Sequence, residues 1–230
     1  MEIRQATRIQ TSVFNATEKK ILVYLAERQP KWVSSDLLTF IGFLGALIIA
    51  AGYILSGISI HFLWLSSLGL VINWYGDSLD GTLARVRNTQ RPLYGYYLDH
   101  TMDGINETIM FIGAGLSPLM HLPLAMAILV LYLLLTISVS INAHLKKEFR
   151  LTFIKMGPTE FRMIVIAINT LFATIAPLRE FATEITIFGS CIELRALDLI
   201  AIGMIVVLAL IHVSTVFMDA RDYARIDPKK

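Results

Sequence analysis

The sequence predicts an all-α integral membrane protein with six transmembrane helices, preceded by an N-terminal helix beside the cytoplasmic membrane surface. Of its 230 residues, 55% are hydrophobic and the mean hydropathy is +0.63, which excludes an ordinary soluble domain. A spanning helix needs about 20 largely apolar residues. Six segments qualify: 36–57, 60–84, 94–116, 123–145, 160–178 and 196–219. Six crossings would put both termini on one side of the membrane.

The distribution of positive charge predicts which side this is, because loops rich in Lys and Arg stay in the cytoplasm. Eighteen of the twenty Lys and Arg residues fall in stretches that six crossings place on one side: 1–34, 85–91, 146–162 and 221–230. Only Arg179 and Arg195 fall on the other side, in the loop that also contains the single cysteine, Cys191. We therefore expect both termini to be cytoplasmic, and no disulfide within the chain.

Residues 1–34 are interpreted as a cytoplasmic segment, and residues 35–230 as one transmembrane domain. Within the segment, Asn15-Ala-Thr-Glu18 has the spacing of a helix capping box, with Asn in place of Ser or Thr. The helix that follows has an apolar face flanked by basic residues: Ile21, Leu22 and Leu25, with Lys19, Lys20 and Arg28. This pattern predicts a helix lying on the membrane surface. A short helix packed on the bundle is the alternative.

Four aspartates near the cytoplasmic ends of the second and third segments are the strongest functional signal. Asp77 and Asp80 are three residues apart and Asp99 and Asp103 are four apart, so each pair lies on one helix face. Carboxylates at a membrane boundary are costly to desolvate and are usually retained because they pair or bind cations. Oxygen ligands at this density suit Mg²⁺ or Mn²⁺, whereas no Cys or His cluster indicates zinc. Solvated charges at helix ends are the alternative.

The aspartates belong to a longer pattern, D-x-x-D-G-x-x-A-R from Asp77 to Arg85 and G-x-x-x-D-x-x-x-D from Gly95 to Asp103. This pattern resembles the signature of the CDP-alcohol phosphatidyltransferases, membrane enzymes of phospholipid synthesis, and every fixed position is filled. The resemblance implies transfer of a phosphatidyl group from a CDP-linked lipid, such as CDP-diacylglycerol, to a small polar alcohol, with release of CMP. It also implies two divalent cations, Mg²⁺ or Mn²⁺, and a homodimer.

The resemblance further implies a role for each aspartate. Asp77, Asp80 and Asp99 would be metal ligands, and Asp103 would accept the proton of the attacking hydroxyl while also contacting metal. Bound cations are physically required, because a pyrophosphate would otherwise be repelled by the carboxylates.

Small residues and an arginine of the same pattern would line the CDP site: Gly81, Ala84, Arg85 and Gly95. Tight helix packing is the alternative for the small residues, and a boundary cation for the arginine. Asp36, at the start of the first spanning helix, is predicted either to accept a hydrogen bond from the cytosine amino group or to cap the helix, and the cap is slightly favoured.

The acceptor alcohol is indicated less clearly. Basic residues cluster on the predicted cytoplasmic face, at Lys146, Lys147, Arg150, Lys155 and Arg162. They suit a phosphate-bearing alcohol such as inositol phosphate or glycerol phosphate, although the positive-inside rule alone accounts for cations here. Glu160 instead favours serine or an amino alcohol. Glu107 is interpreted as a structural partner inside the bundle, and His100 and His144 as boundary residues.

Two other functions remain open at this point. A CDP-choline or CDP-ethanolamine phosphotransferase that uses diacylglycerol as acceptor would share the motif. Acidic residues in membrane helices also mark cation or proton-coupled transporters, but transport sites tend towards the bilayer midplane and are often built on repeated halves. These aspartates lie near the helix ends and no repeat is evident. Membrane lipid is the expected surrounding, and nothing in the sequence indicates a nucleic-acid partner.

Overall fold

The computed structural model describes residues 7–9, 15–146, 148–150, 157–187 and 190–228. Within them the fold is all-α in its main architecture. The helices are α1 (Asn15–Glu27), α2 (Ser35–Leu55), α3 (Phe62–Val86), α4 (Pro92–Gly115), α5 (Leu122–Lys146), α6 (Pro158–Thr174), α7 (Ala176–Arg179) and α8 (Ala196–Ile226). Two short sheets accompany them: β1 (Thr7–Ile9) pairs in parallel with β2 (Glu148–Arg150), and β3 (Ala182–Ile187) is antiparallel to β4 (Ser190–Arg195).

Six of these helices coincide with the six apolar segments of the sequence. The main differences lie at the ends of the last two. The segment 160–178 is interrupted, because α6 ends at Thr174 and a separate turn, α7, follows with Pro177 in its first positions; proline cannot donate a backbone hydrogen bond to the preceding turn. The last helix continues beyond residue 219 to Ile226. The β3–β4 hairpin was not predicted.

Three of the described helices are long and apolar enough to cross a membrane, namely α2, α5 over Leu122–Leu145, and α8. The helices α3 and α4 have sufficient length but carry the aspartates and other polar residues, and α6 has 17 residues. Length and composition therefore identify three candidate spans rather than six.

Glycines bring the backbones of α2 and α3 into direct contact. A Cβ atom on Gly45 would lie 2.5 Å from the Asn73 backbone nitrogen, and one on Gly69 would lie 2.7 Å from that of Ile49. Small residues permit such close approach between membrane helices. The contact continues to Gly76, where a Cβ would collide with the backbone of Gly42. It places the start of α2 beside the aspartate-bearing end of α3.

The remaining long helices pack around this pair. Helix α4 contacts α2 and α5, α6 contacts α3, and α8 contacts α5. A buried chain of polar side chains joins α2, α6 and α3. The Tyr53 hydroxyl donates to Asn169 Oδ1 at 2.9 Å, and Asn169 Nδ2 donates to Ser67 Oγ at 3.2 Å. These bonds hold α6 against α2 and α3 in the interior of the bundle.

The N-terminal helix α1 lies against α3. Its Leu22 and Ala26 belong to a buried cluster with Leu79 and Leu83 of α3. This contact agrees with a helix packed on the bundle, and its location at the membrane surface stays a prediction. The Glu18 carboxylate accepts hydrogen bonds from two other helices. The side chain of Asn15 lies outside the described residues, so the capping box stays a prediction.

At the opposite end of the bundle, Asp198 connects the α4–α5 turn to the start of α8. Its side chain is fully buried and accepts hydrogen bonds from the backbone nitrogen and Nδ1 of His121, both at 2.8 Å, and from the Arg195 backbone nitrogen at 2.9 Å. Three donors compensate the desolvation of this carboxylate.

Candidate metal and substrate site

Four helices meet at the end of the bundle that holds the aspartates. Asp77 and Asp80 lie in the second half of α3, and Asp99 and Asp103 lie in the first half of α4. The first two turns of α2 and α6 complete the site, because side chains from both hydrogen bond to the α3 aspartates. Residues distant in the sequence therefore converge here.

Three of the four aspartates form one cluster. Asp77, Asp99 and Asp103 can each offer a carboxylate oxygen such that the three atoms lie within 4.8 Å of one another. The side chains are only partly exposed, by 22% at Asp77 and 45% at Asp99. Carboxylates this close repel one another unless positive charge lies between them. The oxygen-only set fits a hard divalent cation such as Mg²⁺ or Mn²⁺.

Asp80 lies outside this three-carboxylate cluster. Its Oδ2 accepts a hydrogen bond from Thr39 Oγ1 at 2.6 Å, and its Oδ1 accepts one from the Gly81 backbone nitrogen. Ser35 Oγ in addition donates to the Asp80 carbonyl at 2.9 Å. The spacing of the aspartates predicted that all four carboxylates meet in one site, whereas in the structure the Asp80 carboxylate is directed towards α2.

Arg162 of α6 forms an ion pair with the cluster. Its Nη2 donates to Asp77 Oδ2 at 2.6 Å and to Asn73 Oδ1 at 2.9 Å, and its Nε donates to the same Asn73 oxygen at 3.1 Å. Asn73 is oriented by its own bond from Nδ2 to the Gly42 carbonyl, at 3.0 Å. Sequence reasoning placed Arg162 with the acceptor residues but missed Asn73, whose signal is a polar residue one turn before Asp77 in an apolar stretch.

The small residues of the motif border open space. The nearest atom to a Cβ on Gly81 would be Arg85 Nη1 at 3.5 Å. No described atom would lie within 4 Å of a Cβ on Gly95. Packing among the described residues therefore does not explain either glycine. Ala84 is partly exposed, and Arg85 is exposed while its Nη2 donates to Thr82 Oγ1 at 2.9 Å. All four residues predicted to line the CDP site are accessible from this face.

Asp36 does not cap α2, which corrects the favoured expectation for it. Ser34 is the N-cap, and its hydroxyl accepts a hydrogen bond from the Leu37 backbone nitrogen at 3.1 Å. Asp36 is about half exposed and pairs with Arg91 Nη1 at 3.3 Å, while the Tyr94 hydroxyl donates to it at 3.5 Å. The carboxylate thus faces the start of α4, near the open space beside Gly95.

The predicted acceptor residues divide into three groups. Arg162 lies at the aspartates, as described above. Glu160 is buried and its Oε2 accepts a hydrogen bond from the Gly157 backbone nitrogen at 3.0 Å, so it caps α6. Lys146 ends α5 and Arg150 ends β2, but their side chains, together with Lys147 and Lys155, lie outside the described residues.

Glu107 and His100 surround the cluster. Glu107 lies one turn after Asp103 on α4 and close to Tyr132 of α5, and its role as a structural partner stays a prediction. His100 Nδ1 is 3.5 Å from Asp99 Oδ2. A surface groove of about 460 Å³ between α4 and α5 runs from His100 past Ser140 to His144. Neither histidine belongs to the three-carboxylate cluster.

Comparison with known families gives one finding for this chain. A model of the CDP-alcohol phosphatidyltransferase family matches residues 32–218, a range that begins just before α2 and ends within α8. The match therefore includes every residue of the described site. A search of curated proteins gave no match.

Proposed function

Because the chain belongs to the CDP-alcohol phosphatidyltransferase family, we propose that it transfers a phosphatidyl group from a CDP-linked lipid such as CDP-diacylglycerol to a small polar alcohol, releasing CMP. One observation carries the proposal. The carboxylates of Asp77, Asp99 and Asp103, three of the four fixed acidic positions of the family pattern, form a cluster beside an arginine. The carboxylates could thus hold divalent cations, and the arginine could bind the phosphate groups of a substrate directly.

The three-carboxylate cluster would hold one divalent cation, and Asp80 would contribute to a second. Bound Mg²⁺ or Mn²⁺ would neutralise the pyrophosphate and stabilise the charge that develops on CMP. The chain supplies the supports for this site, since Thr39 orients Asp80 and Arg162 orients Asp77.

Asp103 is proposed as the base. The alcohol oxygen would form a bond to the phosphorus of the phosphatidyl group, its proton would pass to the Asp103 carboxylate, and the bond from that phosphorus to the CMP oxygen would break, with the electron pair leaving on CMP. Positioning and charge stabilisation account for most of the catalysis in such transfers.

The open space beside Gly81 and Gly95 would receive the nucleotide, with Arg85 donating to its phosphates and Asp36 accepting from the cytosine amino group. Glycines allow a ligand to approach a helix backbone closely. The lipid tails would remain in the bilayer. We further propose six membrane crossings and a cytoplasmic site, from the apolar segments and the distribution of positive charge, and a homodimer, as the family resemblance implies.

A phosphate-bearing alcohol, such as inositol phosphate or glycerol phosphate, is the proposed acceptor. Arg162 supports it, because a guanidinium directly beside the aspartates suits phosphate recognition. The argument for serine or an amino alcohol is weakened, because Glu160 is buried and caps α6.

The test is CMP release by the purified protein in lipid nanodiscs containing CDP-diacylglycerol, with Mg²⁺ or Mn²⁺. Inositol phosphate, glycerol phosphate, serine and inositol are offered separately. We expect release that depends on one acceptor, and its loss in Asp103→Asn. The matched control is Asp227→Asn, the same change at an exposed aspartate after α8, which should retain activity.

Absence of CMP release with every acceptor would contradict the proposed donor. Repeating the assay with CDP-choline or CDP-ethanolamine and diacylglycerol would then test the reversed lipid role. Failure of both, with cation flux in proteoliposomes, would favour a transporter.

A further inference from the structure

Glu18 of α1 joins the two helices that carry Arg162 and its partners. A single carboxylate oxygen, Oε1, accepts hydrogen bonds from Trp74 Nε1 of α3 at 2.9 Å and from Thr159 Oγ1 of α6 at 2.5 Å. The family pattern does not include Glu18, which lies outside the matched range. We propose that Glu18 is a positioning residue, which holds the first turn of α6 so that Arg162 faces the acceptor; this rests on the proposed function above.

One partner of Glu18 lies near Arg162 in the sequence, and the other lies next to a hydrogen-bond partner of Arg162. Thr159 precedes Arg162 by three residues and so lies on the same face of α6, one turn earlier. Trp74 directly follows Asn73, the residue that accepts two hydrogen bonds from Arg162. The Glu18 link therefore crosses the same gap between α3 and α6 as the Arg162 side chain.

This link acts at the start of α6, where Arg162 cannot hold the helix in place while it serves a substrate. The Asn169 bonds hold α6 further along the helix. The bond of Arg162 to Asp77 joins α6 to the carboxylate cluster, and a phosphate-bearing acceptor would compete for the same guanidinium. Glu18 is independent of the cluster. It keeps α6 against α3 while Arg162 exchanges one anionic partner for another.

Simple packing of α1 does not explain this carboxylate. The apolar contact of α1 with α3 is made by Leu22 and Ala26, whereas Glu18 is partly buried and brings a charge with a desolvation cost. A second polar link, from Gln29 Nε2 just after α1 to the Tyr75 hydroxyl at 2.7 Å, attaches only α3. Among the described hydrogen bonds of α1, those of Glu18 alone reach α6.

The geometry distinguishes two substitutions of Glu18. Glu18→Gln retains an amide oxygen with two lone pairs, so it can accept both hydrogen bonds, whereas Glu18→Ala can accept neither. Thr159→Val removes the α6 bond alone and serves if Glu18→Ala does not fold. Glu27→Ala is the matched control, since it removes an exposed carboxylate from the same helix.

The first measurement is steady-state CMP release. We expect Glu18→Ala and Thr159→Val to raise the KM for the acceptor about tenfold, as for loss of a charge-assisted hydrogen bond, with kcat and the donor KM changed less than about threefold. Glu18→Gln and Glu27→Ala should remain within about threefold of the original protein. An unchanged acceptor KM in Glu18→Ala and Thr159→Val, or an equal loss for donor and acceptor, would overturn the proposal.

The second measurement does not depend on activity. Hydrogen–deuterium exchange of the first turn of α6 should become faster in Glu18→Ala but not in Glu18→Gln or Glu27→Ala. Equal exchange in all variants would overturn the proposal even if the enzyme is active. If the original protein releases no CMP while this difference is present, the proposed function fails and the role of Glu18 in holding α6 stands.

Discussion

Asp80 differs from the other three motif aspartates in what its carboxylate contacts. Thr39 and the Gly81 backbone nitrogen occupy its oxygens, while Asp77, Asp99 and Asp103 offer oxygens to a common point. A carboxylate that accepts two hydrogen bonds is already oriented, and its negative charge is partly stabilised. The four residues therefore need not contribute equally to cation binding.

We predict that Mn²⁺ titration will separate these contributions. Asp77→Asn should weaken binding at the three-carboxylate cluster about tenfold or more, because it removes one of three anionic ligands. Asp80→Asn should preserve that affinity and reduce the number of ions bound from two to one. Electron paramagnetic resonance of free Mn²⁺ measures both quantities. Equal loss of affinity in the two variants would contradict the separation.

Gly95 allows a residue-level test of the open space at the site. In Gly95→Ala the added methyl meets no described atom within 4 Å, and alanine favours a helix by about 0.5–1 kcal/mol over glycine. Thermal stability should therefore be unchanged or higher. If the nucleotide approaches this backbone, the donor KM should rise at the same time. Higher stability with an unchanged donor KM would show that the space serves no donor.

A residue's role could be predicted when it depended on neighbours along the same helix, and could not when it depended on contacts between helices. The spacing of Asp99 and Asp103 on one helix indicated a shared face, and both belong to the cluster. Asn73 and Thr39 were missed, since their roles depend on the rotation of α2, α3 and α6 against one another. The prediction that Asp36 caps α2 failed for a local reason, because Ser34, two residues earlier, is the N-cap.

Among the elements, the α2–α3 pair depends most on side-chain size. We predict that Gly45→Ala will destabilise the protein by about 1–3 kcal/mol, as overpacking does in tight interiors. The new Cβ would lie 2.5 Å from the Asn73 backbone nitrogen, so the helices must separate. A fluorescence-detected thermal unfolding assay in detergent measures the shift.

The control for this change is Gly203→Ala in α8, where a Cβ meets no described atom within 4 Å. The same substitution should there leave the unfolding temperature unchanged or raise it, because only helix propensity changes. Equal destabilisation at both glycines would show that α2 and α3 are not in the close contact described.

Helices were easier to predict than their ends. Long apolar segments of membrane-spanning length indicated six helices, and each is present. The end of α6 at Thr174 had a readable signal in Pro177, since a helix interior excludes proline. The strand β3 also has a signal, the run Thr183 to Ile187 rich in β-branched residues, but from the sequence residues 179–195 were interpreted as a loop between membrane segments.

For the molecule as a whole, the opposed ends differ in chemistry. The carboxylate cluster and Arg162 lie at one end, the end at which six crossings would place eighteen of the twenty Lys and Arg residues. The other end has the β3–β4 hairpin and the buried Asp198 with its His121 partner. If the six long helices cross the membrane, the positive-inside rule puts the first end in the cytoplasm.

Cysteine accessibility tests this topology directly, because the single cysteine, Cys191, is exposed in β4. A membrane-impermeant maleimide should label Cys191 in intact cells. In a Cys191→Ser background, Lys31→Cys and Asp227→Cys introduce exposed positions before α2 and after α8. Both should be labelled only after permeabilisation, since six crossings put them on the same side. Labelling of just one of the two in intact cells would require an odd number of crossings, and labelling of both would reverse the orientation and move the carboxylate cluster away from cytosolic CDP-linked substrates.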